Sequence, residues 1–244
     1  FFQVRVAALK DQIVAGIDRP SPDGRTPAQT LAEVGHGVLE FVDRLDGAFV
    51  DRLVPELRAA GIDIIAWSDV TDDERVELDD WFDERVFPVL TPLAVDPGHP
   101  FPYISDLALS LAVNVADPET GDRRFARLKG PQLVPRLVPL APGRYLPVEQ
   151  LIAAKLDRLF VGMIVEDWAP FRVSRNADLT LEEEEADDLL EAVEMELRRR
   201  RFNKAVRLEV SHDIGAEVLE LLVRELDLTM DDVTFHRAPL DLSF

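Results

Sequence analysis

Apolar residues recur along the first 18 positions at Phe2, Val6, Leu9, Ile13, Val14 and Ile17, the spacing of one helical face. Pro20, Pro22 and Gly24 break that pattern into a loop. Thr26 then opens a Thr-Pro-Ala-Gln string. Threonine can N-cap, proline suits the first helical position, and Gln29 can close a capping box. Behind it, Leu31, Val34, Val38, Phe41, Val42, Leu45, Phe49 and Leu53 form one stripe, with Asp43, Arg44 and Asp46 off it. The stripe predicts a long amphipathic helix with an inward apolar face. Pro55 should kink or restart this helix, and Gly61 should end it. Ile62–Trp67 is too short a run to type by periodicity. Thr71 to Glu74 reads as a second capping box, opening a helix that should bury Val76, Trp81, Phe82 and Val86. Residues 1–86 therefore read as an N-terminal antiparallel helical bundle.

The pattern changes across Val86–Leu109, VFPVLTPLAVDPGHPFPYISDLAL. Pro88, Pro92, Pro97, Pro100 and Pro102 rule out a regular helix or a central strand there. The stretch is too apolar for a disordered linker, so it reads as a buried, irregular crossover. Beyond it, Leu107–Val115 alternates as a strand, and Phe125–Leu128 follows a turn, which predicts a hairpin. Gln132–Leu140 and Arg144–Leu146 are further strand candidates, Pro147–Phe160 a short helix, and Met163–Ser174 extended chain. Thr180 to Glu183 is a third capping box, whose helix would run to Arg201. Val206–Val210 and Val233–His236 read as strands, with an Asp213-capped helix between them. Residues 87–244 thus predict an α+β head domain, with a mixed or antiparallel sheet and flanking helices on one face.

Charge narrows the possible partners. Twenty-seven Lys and Arg against 47 Asp and Glu give a net charge of −20. So acidic a surface disfavours nucleic acid and other polyanions, and any anion site must be a local basic pocket. The absence of cysteine excludes disulfides and thiol chemistry. No run of 18 apolar residues suggests a membrane span, and the N-terminus has no signal-peptide pattern. A cytoplasmic protein is the simplest expectation. The chain opens on Phe1-Phe2 within a helical pattern rather than on Met, as a piece of a longer protein would.

Candidate chemistry is sparse. His36, His99, His212 and His236 fall in no metal-ligand spacing, so no metal site is expected. Arg198 and Arg201 close a basic run that could hold a phosphate. The same helix begins with glutamates, and such a charge gradient simply complements a helix dipole. Arg172 and Arg175 could face an anion or a carboxylate across an interface; a solvated turn is the other reading. Arg123, Arg124, Arg127 and Lys129 alternate on a strand and should divide between two faces. Neither a glycine-rich phosphate loop nor a nucleophile elbow is present, so no catalytic residue is assigned.

Several segments, taken in order, resemble one family. They are FFQVRVAALKDQI (1–13), the proline-rich stretch 86–109, FARLKGP (125–131), FRVSRNAD (171–178), LRRRRFNKAVRLEV (197–210) and PLDL (239–242). Together they resemble the bacterial polyphosphate kinases that work through a phosphohistidine. The resemblance implies a helical N-terminal domain (1–86) and a head domain (87–244), to be followed in the family by two catalytic domains. It implies an enzyme, magnesium-dependent, that reversibly moves the terminal phosphate of ATP to polyphosphate through a homodimer. The family's catalytic histidines, arginines and metal site belong to the later domains, so this chain is expected to be inactive alone and to bind no cofactor tightly. Phe1 and Phe2 match the end of a family segment beside the adenine and mark the edge of that pocket; the Asn of that segment is not in this chain. Ser105-Asp106-Leu107 stands where the family commonly has Ser-Asn-Leu. A stand-alone interaction module is the alternative, and an independent hydrolase finds no phosphate loop or ligand spacing to support it.

Overall fold

A computed structural model describes residues 1–95, 101–131, 133–177 and 203–242. Helix α1 (Ala7–Val14) is preceded by a π-helical turn, Phe2–Val6. Thr26 and Gln29 close the expected capping box on α2 (Pro27–Gly47), with Gln29 N–H to Thr26 Oγ1 at 3.3 Å and Thr26 N–H to Gln29 Oε1 at 3.0 Å. The α-helix restarts next to Pro55, one of the two outcomes expected of it. The helix widens into a π-helical stretch (Ala48–Leu53) and continues as α3 (Val54–Ala59), with Pro55 in its first turn, where a missing N–H costs least. Gly61 ends the run at φ +84°.

The α2 stripe packs only in part. Val42 and Phe49 are buried, whereas Leu39, Phe41, Leu45 and Leu53 are exposed. Asp46, placed off the stripe by periodicity, is only 3% exposed.

The N-terminal region is not all helical. Strand β1 (Asp63–Ile64) runs parallel to β6 (Arg144–Pro147), which pairs antiparallel with β5 (Leu137–Ala141). Gly143 turns at φ +80° with its Cα against the Gly61 carbonyl, a contact no side chain would permit. Helix α4 (Asp72–Trp81) carries the second capping box, Thr71 with Glu74, and extends through Phe82–Val86.

The proline-rich stretch is not wholly irregular. Pro92–Val95 forms β2, an edge strand with proline as its first residue, a position where the missing donor is tolerated. It is also only partly buried: Ile104 and Ala108 are enclosed, while Phe87, Val89 and Leu93 are exposed.

Strands β2, β3 (Ser110–Ala116), β4 (Arg123–Lys129), β7 (Ile164–Arg175), β8 (Ala205–Ser211) and β9 (Val233–His236) form a six-stranded sheet in the order β2-β4-β3-β7-β8-β9. All neighbours are antiparallel except β8 and β9, so the sheet is mixed. Helices cover both faces, not one. Leu78, Phe82 and Val86 of α4 and Leu151, Ile152 and Leu156 of α5 (Val148–Ala153) and α6 (Leu156–Leu159) pack with Leu111, Val113, Ala126 and Leu128. Val218 and Leu222 of α7 (Ala216–Glu225) pack on the other side with Ala112, Phe125, Phe171 and Leu208. Strand β3 is buried on both faces for this reason. Since α4 shares a core with β3 and β4, packing is continuous across residue 86. Gly215, not Asp213, stands at the N-cap of α7; Asp213 accepts from the Ser211 hydroxyl. The third predicted capping box and its helix lie outside the described residues.

Candidate functional site

A cleft of about 450 Å³ opens where the first helices meet the β8–β9 end of the sheet. Val34, Val38, Phe41, Val42 and Leu45 of α2 form one apolar wall, Phe1 and Phe2 another, and Arg207, Glu209 and His236 a polar end. The local reasons are simple. Alternation on β8 puts Arg207 and Glu209 on one face, and β9 runs parallel beside it, bringing His236 level with that face. The turn Phe2–Val6 sets Phe1 edge-on to Phe2 at 5.6 Å and places Phe2 4.3 Å beneath the Arg207 guanidinium.

The polar end is a buried charge network. Arg207 Nη1 lies 3.1 Å from Glu209 Oε1, and its Nε donates to Thr234 Oγ1 at 3.1 Å. Glu209 Oε2 lies 3.7 Å from Arg172 Nη1. His236 sits between two carboxylates, with Nδ1 3.4 Å from Asp46 Oδ1 and Nε2 3.8 Å from Glu209 Oε1. Asp46 Oδ2 accepts the Arg237 backbone N–H at 2.6 Å, which ties α2 to the sheet. Burial pushes the His236 imidazole below its ordinary pKa, outweighing the upward pull of Glu209 and Asp46. Burial likewise lowers Arg207, against Glu209. His236 Nε2 and Asp46 Oδ1 are enclosed without a hydrogen-bond partner.

The arrangement suits holding a flat, largely apolar group against two phenyl rings, with polar atoms at one end. Among the described residues, no group of three His, Asp or Glu could hold a metal ion.

The predicted residues separate. Phe1 and Phe2 line the cleft. Arg172 joins the network behind it, donating to the Leu107 carbonyl at 3.0 Å and lying 3.8 Å from Asp241. Arg175 is committed elsewhere: it donates to the carbonyls of Ile104 and Asn203 at 2.7 Å and stacks on Tyr103 at 4.6 Å. Arg198 and Arg201 lie outside the described residues. His36 and His212 are exposed, and His99 also lies outside the described residues. Sequence reasoning missed Asp46, Arg207, Glu209 and His236. Charges at alternate positions of an apolar strand, Ala205-Val206-Arg207-Leu208-Glu209-Val210, were the available signal.

Known proteins match along the whole chain. The model of the polyphosphate kinase N-terminal domain matches residues 1–65, and that of the polyphosphate kinase middle domain residues 73–244. A polyphosphate kinase of Streptomyces coelicolor is 47% identical over 243 residues, and one of Mycobacterium marinum 46% over 254. Both alignments cover all of this chain but only 33% and 34% of the relatives, so the chain spans about a third of their length. A crystal structure of polyphosphate kinase from Porphyromonas gingivalis has the same fold, at TM-score 0.72 and 24% identity, over 98% of this chain and 33% of that one.

Proposed function

Because this chain belongs to the polyphosphate kinase family and matches its N-terminal and middle domains, we propose that it is the positioning portion of a parent enzyme that reversibly transfers the terminal phosphate of ATP to polyphosphate. The cleft at Phe1 and Phe2 carries this reading. In it the chain walls the nucleotide entrance, with the two phenyl rings at the edge of the adenine pocket. Phosphoryl transfer needs clustered positive charge around the reacting phosphates. Arg172, Arg175 and Arg207 are each engaged with protein groups. We therefore assign the phosphohistidine, the magnesium and the reacting phosphates to the rest of the parent, and the chain alone is inactive. The parent acts in the cytoplasm as a homodimer, with the head region contributing to association.

Incubated with ATP and magnesium, the chain should make no polyphosphate and no acid-labile phosphohistidine, while the parent makes both. In the parent, Phe2→Ala should raise KM for ATP more than it lowers kcat. Robust synthesis by the chain alone would overturn the reading.

A further inference from the structure

Arg127 differs from the other buried arginines. It is only 4% exposed, and its Nε and Nη2 both reach a single acceptor, Ser110 Oγ, at 3.2 Å. Arg136, Arg172 and Arg207 have carboxylate partners, and Arg175 has two backbone carbonyls. Arg127 has no carboxylate among the described residues within ion-pair distance. Burial is the one influence that lowers its pKa, with no nearby charge to oppose it.

A buried guanidinium remains charged, and enclosing it without a counter-ion is strongly unfavourable. Ser110, fully enclosed, accepts twice from Arg127, and its own O–H proton is free for another acceptor. Lys129 stands directly opposite Ser110 in the β3–β4 register, on the face that also carries Arg127. It is exposed and has no ion pair among the described residues. Phe125, two residues back on this face, stacks on Phe101 at 5.6 Å and forms a dry wall beside the cluster.

We propose that Arg127, Ser110 and Lys129 form a site for a phosphate oxyanion, with Arg127 and Ser110 at its floor and Lys129 at its mouth. A phosphate oxyanion brings more charge and more acceptor oxygens to these donors than a carboxylate does. Arg127 supplies the buried positive charge and its remaining N–H donors, and the lysine recruits the anion in a chain whose net field repels it. The anion is either free orthophosphate or the end of a phosphate chain. The site lies apart from the cleft at Phe1 and Phe2 and does not depend on the parent's reaction.

The test is thermal melting and ³¹P line broadening of the 244-residue chain with orthophosphate, tripolyphosphate, acetate and chloride at matched ionic strength. Orthophosphate should raise Tm saturably where acetate and chloride do not. Tighter binding of tripolyphosphate would assign the site to a chain end, and equal or weaker binding to the free ion. Arg127→Met should abolish the response, and Lys129→Gln, at an exposed position, should weaken binding roughly tenfold while leaving the fold intact. Arg123→Gln should change nothing, because Arg123 is held by Glu166 and Glu217. A phosphate response equal to that of acetate, or unchanged by Lys129→Gln, would overturn the proposal. Either result would leave the proposed function standing.

Discussion

Enclosed between Asp46 and Glu209, the His236 imidazole takes up a proton less readily than it would in an unfolded chain. Its folded pKa lies below the ordinary 6.5, so the unfolded chain binds the proton first. The stability it contributes is therefore fully present above about pH 6.5 and is lost as pH falls from there through the lowered folded value. Comparing Tm at pH 7.5 and 5.5, wild type should fall further than His236→Gln. The difference between the two isolates the imidazole from carboxylates that titrate in both. An equal fall would remove His236 from the linkage. Asp46→Ala should cost roughly 1–3 kcal/mol in chemical denaturation, since it strips the acceptor from the part-buried Arg237 backbone N–H and removes a carboxylate beside His236. Neither residue was legible as important in the sequence. Helical periodicity assigns a charge to solvent, and Asp46 is instead buried where α2 meets the end of β9. Pairing across 190 residues leaves no trace in local spacing.

Elements were legible where local chemistry decides them. The Thr26 box on α2 depends on four consecutive residues and forms as expected. Thr26→Ala should cost about 1 kcal/mol of unfolding free energy, the usual worth of an N-cap. Strands β3, β4, β7, β8 and β9 were likewise visible, because alternation and turn residues are local signals. Strand β1 was not. Two residues have no period, and β1 exists only because β6 presents an edge some 80 positions later. That contact rests on Gly143, whose positive φ and approach to the Gly61 carbonyl exclude a side chain. Gly143→Ala should destabilise by more than about 1 kcal/mol and loosen the β1–β6 pair first. Hydrogen exchange would show it as lost protection at the Ile65 amide, which donates to the Tyr145 carbonyl. The exposed half of the α2 stripe has a related origin. Periodicity reports that a helix has an apolar face, not how much of that face the rest of the chain reaches.

The whole molecule carries −20 on 244 residues, and at this scale charge competes with apolar surface. A compact chain of this length has a radius of gyration of about 18 Å. At about 0.01 M salt the screening length is about 30 Å, so two approaching chains feel each other's full charge. At about 0.15 M it is about 8 Å, and only residues at the contact repel. Leu39, Phe41, Leu45 and Leu53 along α2 and its extension, and Phe1 and Val4 nearby, keep their apolar area at any salt. If this apolar face of the helical region joins the head region in the homodimer proposed above, association at micromolar concentration should therefore strengthen with salt. Sedimentation velocity at 10 and 150 mM NaCl should show the dimer fraction rising. A fraction that falls instead would mean that ion pairs, not apolar surface, hold the contact. A monomer at both salts would assign association to the rest of the parent. The two failures are separable by adding Leu39→Glu, which should abolish an apolar dimer but leave one made by ion pairs.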